Sequence, residues 1–130
     1  MSTKRTERGR GGHFICGDRC RFRRNTLLEY GDIRIVVSTV GMMFLRDAGA
    51  PENIGHNRLY ETMAFHAQES GPYLDADVTR QVHFDAPRSI PSPHREGNDN
   101  LANDMHDAVV AEIGARIEKG DAFPGRSAED

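Results

Sequence analysis

The sequence has few of the residues that build large hydrophobic cores. It contains no tryptophan, its aromatic fraction is 7%, and hydrophobic residues make up 37% of its 130 positions. A domain of this length buries roughly two thirds of the surface that its unfolded chain exposes, so we expect one modest core. No stretch approaches the roughly 20 apolar residues that a membrane-spanning helix needs, the longest candidate being the interrupted stretch 33–45. The composition therefore argues against a membrane protein.

Cysteine is scarce as well. The chain has two, Cys16 and Cys20, which are too few and too close together for a disulfide scaffold. The first twelve residues carry positive charge but lack the apolar stretch of a secretory signal. We therefore expect a cytoplasmic protein with reduced thiols.

The net charge of −3 is unevenly distributed along the chain. Residues 1–24 contain eight Lys or Arg against two acids, a charge of +6, which leaves −9 on the remainder. A basic end attached to an acidic body can contact nucleic acid, an acidic protein or its own acidic helix.

The composition also predicts how the domain is delimited. Residues 1–12 are rich in Arg and Gly and have no apolar side chain after Met1, so they are predicted to be a flexible basic tail. Residues 13–120 are predicted to form a single domain. Within it, three prolines predict a linker over 86–98 without regular structure. Residues 121–130 are predicted to be a polar, frayed tail.

Alternation of side chains predicts four strands. In 19–26, Cys20 and Phe22 share one face and arginines occupy the other. After a turn at 29–32, the stretch 33–40 is rich in β-branched residues, so the two segments should pair as an antiparallel hairpin. Two more strands are predicted at 59–66 and 78–84, with inward-facing sets of Leu59, Met63 and Phe65, and of Val78, Val82 and Phe84.

One amphipathic helix is predicted near the C-terminus. Its stripe repeats every four residues and consists of Leu101, Met105, Val109, Ile113 and Ile117. Asn98 or Asp99 can cap it and Gly120 can end it, while His106 falls beside the stripe and should be exposed or border the core. The predicted fold class is α+β, an antiparallel sheet of about four strands with this helix packed on one face. We expect the stripe to contact Phe22, Ile35, Val37, Met63 and Phe65.

Four arginines are the candidate partner-binding residues: Arg19, Arg21, Arg23 and Arg24. Alternate arginines project together from one strand face, where they can hold nucleic-acid phosphates or an acidic protein surface. The acidic body opposes an extended nucleic-acid track, so we expect a protein partner. The alternative is that these arginines form a solvated face or dock onto the acidic helix.

A metal-binding or catalytic role is the competing hypothesis. His13, Cys16 and Cys20 offer the ligands that zinc prefers, but a second ligand pair of typical spacing is missing, and cysteines are also common as small buried residues. Glu61 shares a predicted strand face with apolar residues, where its pKa would be raised. With Arg34 and Ser38 across the sheet it would be similar to the Arg, Ser and Glu of ADP-ribosyltransferases, although their acidic loop spacing is missing. We predict no catalytic residue, cofactor or metal.

Three segments resemble a small family of proteins from bacteria and their phages. They are G-H-F-I-x-x-D-R-C-R-F-R-x-N-T at 12–26, V-S-T-V-G at 37–41 and R-x-Y-E-T-M-A-F at 58–65, and they cover about the first half of the chain. No established activity comes with that family, so it assigns no site residue. The resemblance implies a mobile-element setting, where small α+β proteins often block host defence. We therefore expect a non-enzymatic binding protein, such as an inhibitor of a CRISPR effector.

Overall fold

The computed structural model describes residues 3–8, 20–43, 58–70, 73–87, 89–91, 99–121 and 123. In chain order its elements are β1 (Lys4–Arg8), β2 (Cys20–Tyr30), β3 (Ile33–Met43), β4 (Arg58–Ser70), β5 (Tyr73–Val82), β6 (Ser89–Pro91) and α1 (Asp99–Glu118). An antiparallel sheet with a C-terminal helix packed against it confirms the predicted α+β class. The prediction of about four strands was too low, because the described residues alone form six.

The strands follow one another across the sheet in chain order, β1-β2-β3-β4-β5, and β6 pairs with the first residues of β4. The predicted hairpin of β2 and β3 is present, with Tyr30 opposite Ile33 across a two-residue turn. Gly31 opens that turn at a φ of 58°, a left-handed conformation that glycine adopts without steric cost. In β5, a bulge at residues 77–80 separates the two stretches that pair with β4.

Two segments predicted to lack regular structure form strands, and one residue of the predicted frayed tail is buried. Lys4–Arg8, assigned to a flexible tail, forms β1 alongside β2. Ser89–Pro91, assigned to the linker, forms β6, whose proline stands at the strand end where a missing N–H is tolerated. Phe123, assigned to the frayed tail, is buried in the main core.

The main core lies between α1 and the sheet, and it contains Leu28, Ile35, Val37, Ala64, Val82, Val109, Val110, Ile113, Ile117 and Phe123. A smaller cluster beside it consists of Tyr60, Ile90, Ala102 and Met105, with Phe22 packed edge-on against Tyr60. The helix stripe is thus confirmed from Met105 to Ile117. Leu101 is the exception, being 41% exposed.

The predicted inward face of β4 was wrong. Val37 pairs with Ala64 and Thr39 with Thr62, so the even-numbered residues of β4 face the helix while Met63 and Phe65 point to the other side. Phe65 is nevertheless buried. Because both faces of β4 bury side chains, large apolar residues occur on each, and their positions do not identify the helix-facing side.

The helix ends where predicted. Gly120 has a φ of 103°, and its N–H donates to the carbonyl of Ile117 at 3.0 Å. The N–H of Asp121 donates to the carbonyl of Arg116 at 2.9 Å. This pair of bonds is a Schellman motif, which satisfies carbonyls left open at a helix end.

Candidate functional site

His106 belongs to α1 and points from the helix toward the sheet, where its ring contacts β2 and β3. Its Nε2 is 2.7 Å from Thr26 Oγ1, and its Nδ1 is 2.7 Å from Thr39 Oγ1. The ring is 0% exposed, which corrects the expectation of an exposed or bordering residue. Both ring nitrogens are therefore bonded inside the protein.

The surrounding hydroxyls determine which nitrogen carries the proton. Thr26 Oγ1 donates to the Glu7 carboxylate at 2.8 Å, so this oxygen must accept from His106, whose Nε2 is protonated. Nδ1 then accepts from Thr39, and Thr39 Oγ1 accepts from Thr62 at 2.6 Å. The bonds form one chain in which each donor has an acceptor, from Thr62 to Glu7.

Burial lowers the pKa of His106 to about 4, and the positive charge of Arg24 acts in the same direction. The carboxylates of Glu7 and Asp107 oppose this change. The imidazole is therefore neutral near pH 7. A neutral, fully bonded histidine without solvent contact positions α1 on the sheet, and no substrate atom can reach its nitrogens in this conformation.

Arg24 joins three elements on the same side of the sheet. It donates to both oxygens of Glu7 in β1, at 2.8 and 3.2 Å. It also pairs with Asp107 of α1 at 2.8 Å and donates to Asn103 at 3.3 Å. Its hydrogen bond lowers the pKa of Glu7, and the same bond raises the pKa of Arg24 itself. This arginine docks onto the acidic helix.

The other predicted partner-binding arginines are distributed differently. Arg23 is exposed and opposite Val40, on the sheet face away from the helix. It makes no ion pair or side-chain hydrogen bond with the described part of the chain. Arg21 lies in β2 without a described side chain, and Arg19 lies outside the described residues.

The catalytic set considered for Glu61 is only partly brought together. Glu61 is 7% exposed and opposite Val40, next to the Ser38–Met63 pair on the face away from the helix. Arg34 lies at the far end of β3, where it pairs with Glu29 at 3.7 Å. Glu61 and Ser38 are diagonal neighbours, but Arg34 is not part of their group.

The possible zinc ligands are not tested by the fold. His13 and Cys16 lie outside the described residues, and Cys20 begins β2 without a described side chain. In the described ranges, no group of three or more His, Cys, Asp and Glu could hold a metal ion.

A second buried histidine holds the chain beyond the helix. His66 Nε2 donates to the carbonyl of Phe123 at 2.6 Å, and burial lowers the pKa of this ring. Arg116 stacks over the Phe123 ring at 4.5 Å and bonds to Asp121 at 3.0 Å. The segment after α1 is thus held by polar groups at two points, to the helix at Asp121 and to the sheet at Phe123.

Sequence reasoning missed the polar network because its members are scattered along the chain. The available signal was a polar pair inside each central strand: Asn25-Thr26 in β2, Ser38-Thr39 in β3 and Glu61-Thr62 in β4. These pairs stand beside one another in the sheet and are buried on both faces. Buried polar side chains need partners, so such pairs predict a hydrogen-bonded layer.

Comparison with known proteins adds no further identification: no protein-family model matches the chain, and no curated protein or solved structure gives a significant match. Among the described residues, α1 is too polar to cross a membrane, and no other helix is present there.

Proposed function

We propose that the chain is a small non-enzymatic binding protein that holds an acidic surface of another protein through the arginines of β2. The polar chemistry under the helix supports a structural role for that region. His106, whose pKa is lowered to about 4 by burial, uses both nitrogens to join the helix to two strands. This leaves partner recognition to the surface charges.

The observation that carries the proposal is the contrast between two adjacent arginines of β2. Arg24 is bonded to Glu7, Asn103 and Asp107. Arg23 is exposed on the opposite face without an ion pair among the described residues. An arginine without an internal partner can bind a carboxylate of another molecule at both of its oxygens.

The charge distribution supports an acidic protein over nucleic acid. Helix α1 has five acids and one arginine, a charge of −4, while β2 has three arginines and one glutamate. A partner with a compact acidic patch is attracted by the arginines of β2. A phosphate chain that extends toward the helix is repelled by the acids of α1.

The narrower proposal is that the partner is a bacterial defence complex such as a CRISPR effector. It rests on the resemblance of residues 12–26, 37–41 and 58–65 to a bacterial and phage family. Inhibition of such a complex requires the chain to act in the cytoplasm, in agreement with its scarce cysteine.

The proposal is tested by comparing the wild type with Arg23→Gln and Arg34→Gln in affinity capture from a bacterial host. Arg34 is the matched control, because it is exposed on the same face but paired with Glu29. We expect a protein retained by the wild type and by Arg34→Gln and lost with Arg23→Gln.

Nucleic-acid binding is tested separately. The purified domain is titrated with random duplex and single-stranded oligonucleotides at two salt concentrations. Tight binding whose logarithm falls by about 0.9 per log unit of salt for each duplex phosphate contacted would replace the proposal with the nucleic-acid alternative.

A further inference from the structure

Strand β1 is attached to the sheet without any apolar side chain. Its sequence is Lys-Arg-Thr-Glu-Arg, and within the described part of the chain it pairs with one strand, at residues 25–29 of β2. Lys4, Arg5 and Glu7 are exposed. The hydrophobic burial that holds the central strands therefore contributes little to β1.

Polar contacts hold this strand near both of its ends, and between them the Arg5 side chain lies against Gly114 of α1. Before the strand, the N–H and hydroxyl of Thr3 donate to Glu118 at 2.9 and 2.7 Å. Near its end, Glu7 bonds to Arg24 and Thr26 at 2.8 Å each, although 57% of its side chain is exposed. An exposed ion pair such as Glu7–Arg24 contributes little to stability, so β1 should open more readily than the core strands.

The edge of β2 beneath β1 is well suited to another strand. It consists of residues 25–29, whose backbone groups on that side pair with β1. Thr26 supplies a hydroxyl and Arg24 a guanidinium at the position that Glu7 now occupies. An incoming extended segment would find backbone partners and a binding position for one carboxylate.

We propose that β1 is displaceable and that the β2 edge it covers is the docking site for an extended segment of the partner protein that presents one carboxylate. This inference rests on the proposed function and specifies its mode, the addition of a partner strand to a sheet edge. The partner's carboxylate replaces Glu7 on Arg24 and Thr26. When no partner is bound, Glu7 occupies the position of the partner's carboxylate and keeps Arg24 paired.

Hydrogen exchange of the full chain tests whether β1 opens by itself. Amides that bond β1 to β2 should exchange at least about 100-fold faster than those between β2 and β3, as expected for local rather than global opening. Glu7→Gln should accelerate the β1 amides about tenfold more, because a charge-assisted bond is lost. Asp85→Asn, at an exposed carboxylate after β5, is the control and should not. Equal protection of β1 and β3 would overturn the proposal.

Docking at the edge is tested with a strand that can be locked. Lys4 and Glu29 are directly opposite, at the separation of about 4.5–5.5 Å between Cα atoms that a disulfide can span. A Lys4→Cys, Glu29→Cys variant, in a background with Cys16 and Cys20 replaced by Ser, is compared oxidised and reduced. The probe is a fluorescent peptide, Thr-Lys-Arg-Thr-Glu-Arg, at millimolar concentration.

The reduced variant should bind the peptide and the oxidised one should not, and Gln in place of the peptide's Glu should weaken binding about tenfold. Binding that is unchanged by oxidation, or absent in both forms, would overturn the proposal. The two hypotheses fail separately. A partner lost with Arg23→Gln but still bound by the locked variant leaves the proposed function standing, whereas peptide docking without any protein partner leaves only the displaceable strand.

Discussion

The buried histidine predicts a specific loss of stability in mild acid. The pKa of His106 is about 4 in the folded chain and about 6.5 in an unfolded one. The unfolded state therefore binds the proton first as the pH falls. The contribution of His106 to the free energy of unfolding is fully present above pH 6.5 and declines between pH 6.5 and 4. Below pH 4 this group causes no further loss.

The magnitude follows from the pKa difference. One pKa unit corresponds to about 1.4 kcal/mol, so complete protonation of the unfolded state costs about 3 kcal/mol, of which about 2 kcal/mol is lost at pH 5. Glu7, whose pKa is lowered from 4.5, adds a loss in the same direction, but only at lower pH. Burial also lowers the pKa of His66, which overlaps the same window, so the His106 part must be isolated with a variant.

Urea denaturation of wild type and variants at pH 8 and pH 5 measures the part of the stability loss that is due to His106. His106→Gln should lower stability at pH 8, because one ring-nitrogen bond is lost, and should lose about 2 kcal/mol less than the wild type between the two values. His83→Gln, at an exposed histidine, should retain the wild-type dependence. A His106→Gln variant with the full wild-type pH dependence would refute the reasoning. An NMR titration in which His106 ionises near pH 6.5 in the folded state would do the same.

Three substitutions test the packing of α1. Ile113→Ala should cost about 2–5 kcal/mol by thermal unfolding, as for a fully buried aliphatic side chain, and a cost like that of Leu101→Ala on the exposed face would contradict the core described here. Gly114→Ala should stabilise the chain by about 0.5–1 kcal/mol through helix propensity, since its new Cβ meets the movable end of Arg5 at 3.3 Å; destabilisation would mean that Arg5 is held rigidly. Gly120→Ala should instead cost about 1 kcal/mol, because a φ of 103° strains any side chain, and an unchanged melting temperature would argue against the Schellman motif.

The sequence predicted those elements whose apolar side chains repeat with a clear period. The stripe from Met105 to Ile117 identified the helix, and the alternation around Gly31 identified the β2–β3 hairpin. β1 has no apolar residue, so hydrophobic periodicity could not detect it, and its position depends on backbone pairing with β2. The strand Ser89–Pro91 was missed because the prolines around it predicted a linker, although Ile90 is buried.

The site was less predictable than the fold, because its geometry depends on contacts between distant segments. Arg24 was named as a partner-binding residue from its place in a run of arginines. Because neighbouring residues of a strand face opposite sides, Arg24 faces the helix and Arg23 faces away from it. His106 stood beside the apolar stripe, and its burial depends on threonines in two separate strands.

The bonds of His106 also bear on the order in which the chain can complete its fold. Thr26 and Thr39 are 80 and 67 residues away from it in sequence, and their hydroxyls are matched to one ring only in the native alignment of β2 and β3. A two-residue slip of either strand would preserve its apolar faces but would remove a threonine from the ring. Because α1 follows all six described strands in the chain, these bonds can form only after those strands have been synthesised. Contacts of such separation slow folding, so the strands can pair in a wrong alignment until the helix is present to bond with both threonines.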